Sequence, residues 1–270
     1  MKRVSIVIPT FNQDRYLPSC IDHCLFQTYG NLEIIIVDGG STDGTKEYLE
    51  NLEREIGERS ISPICEMDEE GQILRRRMQA YPQSRDIEIV TFKEDIGATR
   101  TCNEGLSRIS GQYCTYVVGD DRPHPHMIEE LVRALESTGA DFVYSDLDVM
   151  NDEGRIMRQV RCPDYSFESC FASWYHIGVS RLYRALWHER VGIMDEAYEC
   201  ANDYDQYLRF AMAGARFHHV PKILYSVRYH GEDRRTGQHT EERYFRLIEE
   251  SKQCAFRARD WLKQKSVDSG

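Results

Sequence analysis

No run of about 18 consecutive apolar residues, the minimum for a membrane-spanning helix, occurs in this sequence. Its uninterrupted apolar stretches are short, such as Ile34 to Val37. Positive charge is also in deficit: 34 Lys and Arg stand against 45 Asp and Glu, a formal net charge of −11. Such a surface repels phosphate backbones and carries no basic stripe, which excludes nucleic acid as a partner. Small anionic ligands stay open to it if a cation or a local donor cluster screens the charge. The nine cysteines contain no CxxC pair, and the nearest two are Cys20 and Cys24. That odd, scattered set reads as reduced, mostly buried thiols, with a zinc site from Cys20, His23 and Cys24 as the alternative. Repeats, low-complexity tracts and Pro/Ser linkers are missing too. Met1-Lys2-Arg3 runs straight into a strand-like Val4-Ser5-Ile6-Val7-Ile8, with no apolar leader, so a cytoplasmic protein is expected.

What is present is apolar mass, 41% of residues with 11% aromatic, enough for a sizeable packed core over 270 residues. Elements alternate along the first half. Val4 to Ile8 is β-branched. Arg15 to Thr28 carries Leu17, Cys20, Ile21, Cys24 and Leu25 at helical spacing and is stopped by Gly30. Leu32 to Val37 is a strand with one charge, Glu33, and Lys46 to Glu55 reads as a helix. Ile61–Cys65, Glu88–Phe92 and Tyr113–Val118 extend the strand series, with helices predicted over 72–80 and 98–109. The alternation predicts an α/β fold, a mixed and mostly parallel sheet with helices on both faces. After Gly119 the pattern changes to a helix at Met127–Glu136, a hairpin from Phe142-Val143-Tyr144 to a turn at Gly154, and polar aromatic-rich loops. Helices are then predicted at Ser180–Arg190, Asp203–Ala213 and Glu241–Lys263, with a strand at Lys222–Tyr229.

In open parallel sheets ligands bind beyond the carboxyl ends of the strands. The positions to inspect are therefore Pro9-Thr10-Phe11-Asn12, Asp38-Gly39-Gly40-Ser41, the segment Gly97 to Gly105, and Gly119-Asp120-Asp121. Two adjacent carboxylates after a strand suit a hard cation such as Mg²⁺ or Mn²⁺, whose shell is completed by phosphate oxygens and water. Taken alone, Asp120-Asp121 is equally a turn or helix cap, and Asp38 before Gly-Gly is ordinary turn chemistry.

The blocks in combination say more. Val4-Ser5-Ile6-Val7-Ile8-Pro9-Thr10-Phe11-Asn12, followed by Leu32 through Val37-Asp38-Gly39-Gly40-Ser41-Thr42-Asp43-Gly44-Thr45, closely resembles the amino-terminal signature of glycosyltransferase family 2, whose members have the Rossmann-like GT-A fold. Gly97 to Gly105, Gly119-Asp120-Asp121, Gly192-Ile193-Met194-Asp195-Glu196, Asn202-Asp203-Tyr204-Asp205 and Tyr225 through Arg228 to His230 resemble its later signatures, in order, so that the match runs from about Val4 to His230.

The resemblance implies a metal-dependent inverting transfer of a sugar from a nucleoside diphosphate, UDP in the usual case, to a hydroxyl. Thr10 and Asp38 would hold the base, with Pro9 and Asn12 alongside. Arg100 would contact base or phosphate. Asp120 would meet the ribose or the metal-bound diphosphate, and Asp121 would ligate the divalent ion, Mn²⁺ or Mg²⁺. Arg228 and His230 would lie near the diphosphate, His230 on metal or phosphate. Asp203 would be the general base. Residues 1–121 then form a nucleotide-sugar-binding half, 122–235 an acceptor-binding and base-bearing half, and 236–270 a C-terminal helix, within one continuous domain. A glycan or lipid-linked acceptor and a role in surface polysaccharide or glycoconjugate synthesis are expected from the resemblance.

Two departures stand out. Val118 replaces the first acid of the family's Asp-x-Asp-Asp, and Asn202 stands where an acid commonly precedes the base. These departures keep open a catalytically silent sugar-binding module. A sugar-phosphate nucleotidylyltransferase would need a glycine-rich basic loop after the first strand, which Pro9-Thr10-Phe11-Asn12 is not. Trp174, Tyr175 and His176 fall in the acceptor half, where aromatic faces stack on sugars or fill a core. His218-His219 reads as a strand entry. The last helix, with Tyr244, Phe245, Phe256 and Trp261 among basic residues, has two readings: packing on the domain or a second subunit, or peripheral association with an acidic membrane face.

Overall fold

Successive residues of a strand point to opposite faces of its sheet, and the first strand, β1 (Val4–Thr10), uses both. Val4, Ile6 and Ile8 enter one apolar cluster while Val7 enters the other. The computed structural model describes residues 1–57, 61–67, 73–82, 84–230 and 241–268. β1 lies between β2 (Leu32–Asp38) and β6 (Tyr113–Tyr116), and β5 (Asp86–Thr91) lies outside β2, all four parallel. Beyond β6 the order continues through β10 (Arg181–Arg184), β8 (Phe142–Met150), β11 (Phe217–Arg228) and β7 (Arg122–Pro123), with β9 (Ile156–Val160) beside β8. β10 is antiparallel to both its neighbours, whereas β8 and β11 run parallel to each other. The sheet is therefore mixed, as the sequence predicts.

Both faces are covered. On one lie α1 (Leu17–Leu25), α2 (Thr45–Gly57) and α4 (Met127–Thr138), through Leu17, Ile21, Leu49, Leu52, Ile128 and Leu131. On the other lie α3 (Ala98–Leu106), α5 (Leu186–Val191), α6 (Asn202–Met212) and α7 (Glu241–Asp268), through Cys102, Leu106, Trp187, Tyr207, Phe210, Cys254 and Ala258. α3 reaches its strand closely because residue 105 is glycine: a Cβ there would collide with Val7. The single charge within β2 is fully used. Glu33 accepts from Arg3 at 2.8 Å, from the Ser110 hydroxyl at 2.7 Å and from the Gly111 amide at 3.0 Å. Burial raises its carboxyl, but hydrogen bonds from Ser110 and Ser5 outweigh that and hold it below the usual range.

Two sequence expectations are corrected. The stretch 72–80, predicted helical, is instead β4 (Ile73–Ala80) from residue 73, residue 72 lying outside the described residues; β4 pairs antiparallel with β3 (Ile61–Met67) in a ribbon of its own, so β3 does not extend the main sheet either. The run of good helix formers is overridden because cross-strand pairing satisfies the backbone equally well. Ser180–Arg190 is likewise not one helix. Its first part, β10, is a central strand whose backbone pairs with β6 and β8 on either side, and only Leu186–Val191 coils into α5. Among the described residues no helix is long and apolar enough to cross a membrane.

Burial sets a pH dependence. His23 on α1 is lowered to about 4 by desolvation and by Arg122, and His188 on α5 to about 4 by desolvation and by Arg209. Unfolded histidine titrates near 6.5, so between that value and 4 the unfolded chain binds more protons. Stability must fall as pH falls through this window, by up to about 3 kcal/mol per histidine. Urea midpoints measured from pH 7 to pH 4.5 are expected to decline, and His188→Gln is expected to decline less steeply; an unchanged slope in that variant rules His188 out as a source.

Candidate active site

β1, β6, α3, the loop before α6, the end of β11 and the start of α7 surround one cavity of about 650 Å³. Pro9, Thr10, Phe11 and Gln13 line it from β1 and the turn after it, Tyr116, Val118, Asp120 and Asp121 from the end of β6 and the turn after it, and Val227 and Arg228 from β11. Thr10 donates to Gln13 Oε1 at 2.9 Å. A Cβ at Gly119 would lie 2.5 Å from the same oxygen, so any other residue there would have to displace the Gln13 amide from Thr10.

Asp38 takes a different place from Thr10, its register partner across β1 and β2. It is fully buried, and its carboxylate accepts the Ser41 amide at 3.1 Å and the Ser41 hydroxyl. Asn12, in the left-handed region at φ 52°, accepts the Thr42 amide at 2.8 Å. Asn12 thus ties the first loop to the second, Asp38 caps the second, and neither is among the residues lining the cavity. Arg100 is exposed on α3 and is not part of the lining either.

The late motif folds back onto Asp120-Asp121. His230 places Nε2 2.8 Å from Asp120 Oδ2 and Nδ1 2.6 Å from Asp152 Oδ1. Arg228 donates through Nε to the Asp120 carbonyl at 2.9 Å and through Nη1 to the Asn151 and Asp152 carbonyls, each at 2.8 Å, with its guanidinium 4.5 Å from the Tyr16 ring centre. Asp121 accepts the Tyr225 hydroxyl at 2.9 Å and the Arg228 amide at 2.8 Å. Burial and the adjacent Asp120 push its carboxyl well above the usual range.

Among the described residues, no three His, Cys, Asp or Glu side chains converge as a cage for a metal ion. Both His230 ring nitrogens face carboxylates, Asp120 on one side and Asp152 on the other. What the chain offers is the buried Asp120-Asp121 pair at the cavity wall. That fits a hard ion which takes one or two carboxylates and completes its shell with phosphate oxygens and water. Cys20 and Cys24 are buried within α1, and the Cys20 thiol donates to the Val118 carbonyl at 3.4 Å.

Asp203 opens α6 beside the cavity, with its side chain 17% exposed. Its Oδ1 accepts the Tyr204 amide at 2.7 Å, and its own amide donates to Asn202 Oδ1 at 2.7 Å. Asn202 in turn donates to Thr99 Oγ1 at 2.8 Å, and that hydroxyl donates to the Tyr198 carbonyl at 2.6 Å. An amide serves here because the Thr99 proton is already spent on Tyr198. Behind Asp203 lies Arg181, fully buried, donating to the Tyr207 hydroxyl at 2.8 Å and the Gly178 carbonyl at 3.1 Å, with its guanidinium 4.0 Å from the Tyr116 ring centre. Its Nη2 has no hydrogen-bond partner among the described residues and stands 3.9 Å from Asp203 Oδ2.

Of the aromatic trio, Tyr175 lies next to Asp203, stacked on Tyr204 at 5.1 Å between ring centres. Trp174 is half-buried outside the cavity lining. His176 is exposed and belongs to a separate shallow pocket with Arg161 and Ser169. His219 at the start of β11 sits between Asp146 and Asp164, at 2.8 and 2.9 Å. Sequence reasoning missed Asp152, Tyr16 and Arg181. The first two lie in no motif, and Arg181 lies within a stretch read as helix.

The family model of glycosyl transferase family 2 matches residues 5–62 and 65–193. The chain belongs to glycosyltransferase family 2. An uncharacterized glycosyltransferase of Rickettsia felis is 26% identical over 88% of this chain and 36% of its own length. TarS of S. aureus, solved with UDP-GlcNAc, superposes with a TM-score of 0.63 at 16% identity, covering 88% of this chain and 60% of that one. A Pyrobaculum calidifontis mannosyltransferase solved with GDP-Man and Mn²⁺ superposes with a TM-score of 0.59 at 17% identity, over 84% and 56%. These structures share the GT-A fold with this family 2 chain, which spans between about a third and two thirds of the length of the first curated relatives it matches.

Proposed function

We propose that the cavity binds a nucleoside-diphosphate sugar, of the UDP type, and that the chain transfers the sugar with inversion to a hydroxyl of a glycan or lipid-linked acceptor in the assembly of a surface polysaccharide or glycoconjugate. The observation that carries this reading is the convergence on one cavity of Thr10, the Asp120-Asp121 pair and the loop of Glu199, Cys200 and Asn202 that leads directly into Asp203, from segments spread over nearly two hundred residues. The UDP-GlcNAc and GDP-Man bound to the two solved neighbours support a nucleotide-sugar donor, and the Mn²⁺ of one supports a divalent ion.

Asp120 and Asp121 would hold that ion, whose chemistry is to neutralise charge on the departing diphosphate. Thr10, with Asp38 and Asn12 bracing its loop, positions the nucleoside. Arg228 holds the Asp120 turn in place, and His230, beside the Asp120 carboxylate, would help hold the metal or the phosphate. Asp203 accepts the proton of the acceptor hydroxyl. The freed oxygen forms its bond to the anomeric carbon opposite the diphosphate, whose bond breaks with the electron pair left on the phosphate oxygen. A single in-line displacement inverts the anomeric centre, whereas retention through two displacements needs a close second carboxylate. The base lies beside Tyr175, which would face the acceptor sugar, with Trp174 and His176 further along the same loop.

A panel of nucleotide sugars assayed with Mn²⁺ or Mg²⁺ tests the proposal. UDP-sugars are expected to release UDP in a metal-dependent reaction that chelator abolishes, with an inverted product anomer. If no donor turns over or raises the melting temperature, the reading fails.

A further inference from the structure

The loop that leads into α6 turns three successive backbone amides, those of residues 199–201, to one side immediately before the proposed base, at the end of the helix where backbone amides lack intrahelical partners. α6 has no side-chain cap on its own N-cap residue, Ala201. The partner comes from α7. Glu250, 8% exposed, accepts the Glu199 amide through Oε1 at 3.1 Å and the Cys200 and Ala201 amides through Oε2 at 2.8 Å each. Three successive donors at the positive end of a helix match a carboxylate in geometry and charge. α7 grips the same region twice more: Arg257 pairs with buried Asp205, one turn into α6, and Arg246 pairs with Glu199. From the opposite side the loop is pinned by Thr99 on α3, through Asn202 and the Tyr198 carbonyl.

We infer that Glu250 is the positioning residue for Asp203. By clamping the amides of residues 199–201 it sets where the carboxylate meets the acceptor hydroxyl, and so makes α7, which lies outside the segment the family model matches, part of the reaction apparatus. The inference rests on the reading of Asp203 as base. The physical case is leverage. The clamp lies two to four residues from Asp203, and a misplacement of about 1 Å can cost on the order of 10²-fold in rate. Glu250 itself makes no contact with the cavity, so its loss leaves the donor wall of Thr10, Asp120 and Asp121 intact.

The test uses the full chain with Glu250→Ala and Glu250→Gln. Glu250→Ala is expected to lower kcat for transfer by about 10- to 100-fold, with donor KM unchanged and cooperative unfolding retained. Glu250→Gln, which keeps the shape and one acceptor oxygen, recovers part of the loss. Formate is expected to restore part of the Glu250→Ala rate, because the vacated amides form a nest for a small anion. Hydrogen exchange at residues 199–203 rises in Glu250→Ala while that of β1 and β6 does not. A folded Glu250→Ala with the parent's kcat overturns the inference. So does a variant whose donor affinity and cooperative unfolding collapse along with kcat, since Glu250 would then serve general stability. If instead Asp203→Asn is as active as the parent, the reading of the base fails, an outcome told apart by which variant keeps its rate.

Discussion

Asp203→Asn is expected to lower kcat by about 10²- to 10⁴-fold, the usual worth of a positioned proton acceptor, while leaving donor affinity unchanged. The asparagine side chain has the same shape and keeps an oxygen to accept the Tyr204 amide, so the start of α6 is preserved. What it cannot do is take a proton from the acceptor hydroxyl. Steady-state rates with acceptor, set beside calorimetric donor binding, separate the two effects. A variant within a few-fold of the parent would place the base elsewhere.

Arg181→Met is expected to destabilise the fold by about 3–5 kcal/mol, the range for breaking a buried charge pair by removing one partner. The guanidinium is fully buried and faces the Tyr116 ring, the Tyr207 hydroxyl, the Gly178 carbonyl and Asp203. Methionine fills much of the volume but leaves the hydroxyl and carbonyl without their donor and Asp203 without its nearest cation. Denaturant midpoints measure the loss. In an Asp203→Asn background Arg181→Met is expected to cost less, because the charge it would strand is already gone; a loss below about 1 kcal/mol, or strict additivity, would mean that the two charges do not support one another.

Legibility followed locality. The β-branched run Val4 to Ile8 and the apolar stretch Leu32 to Val37 are legible as strands because short, continuous apolar runs rich in β-branched residues and closed by turn residues suit a parallel strand buried on both faces. Ser180–Arg190 was misread for the converse reason. Arg181 looks like a surface helix residue until two neighbouring strands, β6 and β8, claim the backbone around it. In the site, Thr10, Asp120, Asp121, Asp203 and Arg228 announce themselves by standing where strands and helices end. Asp152 and Glu250 do not, because each acts on a partner far along the chain, through a bond that no local pattern encodes.

The sequence by itself determined the fold class and, through ordered motifs spread from Val4 to His230, the family. It also determined the departures at Val118 and Asn202. Only the tertiary structure decided what those residues do to one another. It set His230 between Asp120 and Asp152, and placed a buried arginine and a C-terminal glutamate behind the Asp203 turn. The reason is physical. Strand and helix periods are written residue by residue, whereas the charge and hydrogen-bond state of a side chain depends on what packs against it, and here those partners lie about twenty to more than a hundred residues away.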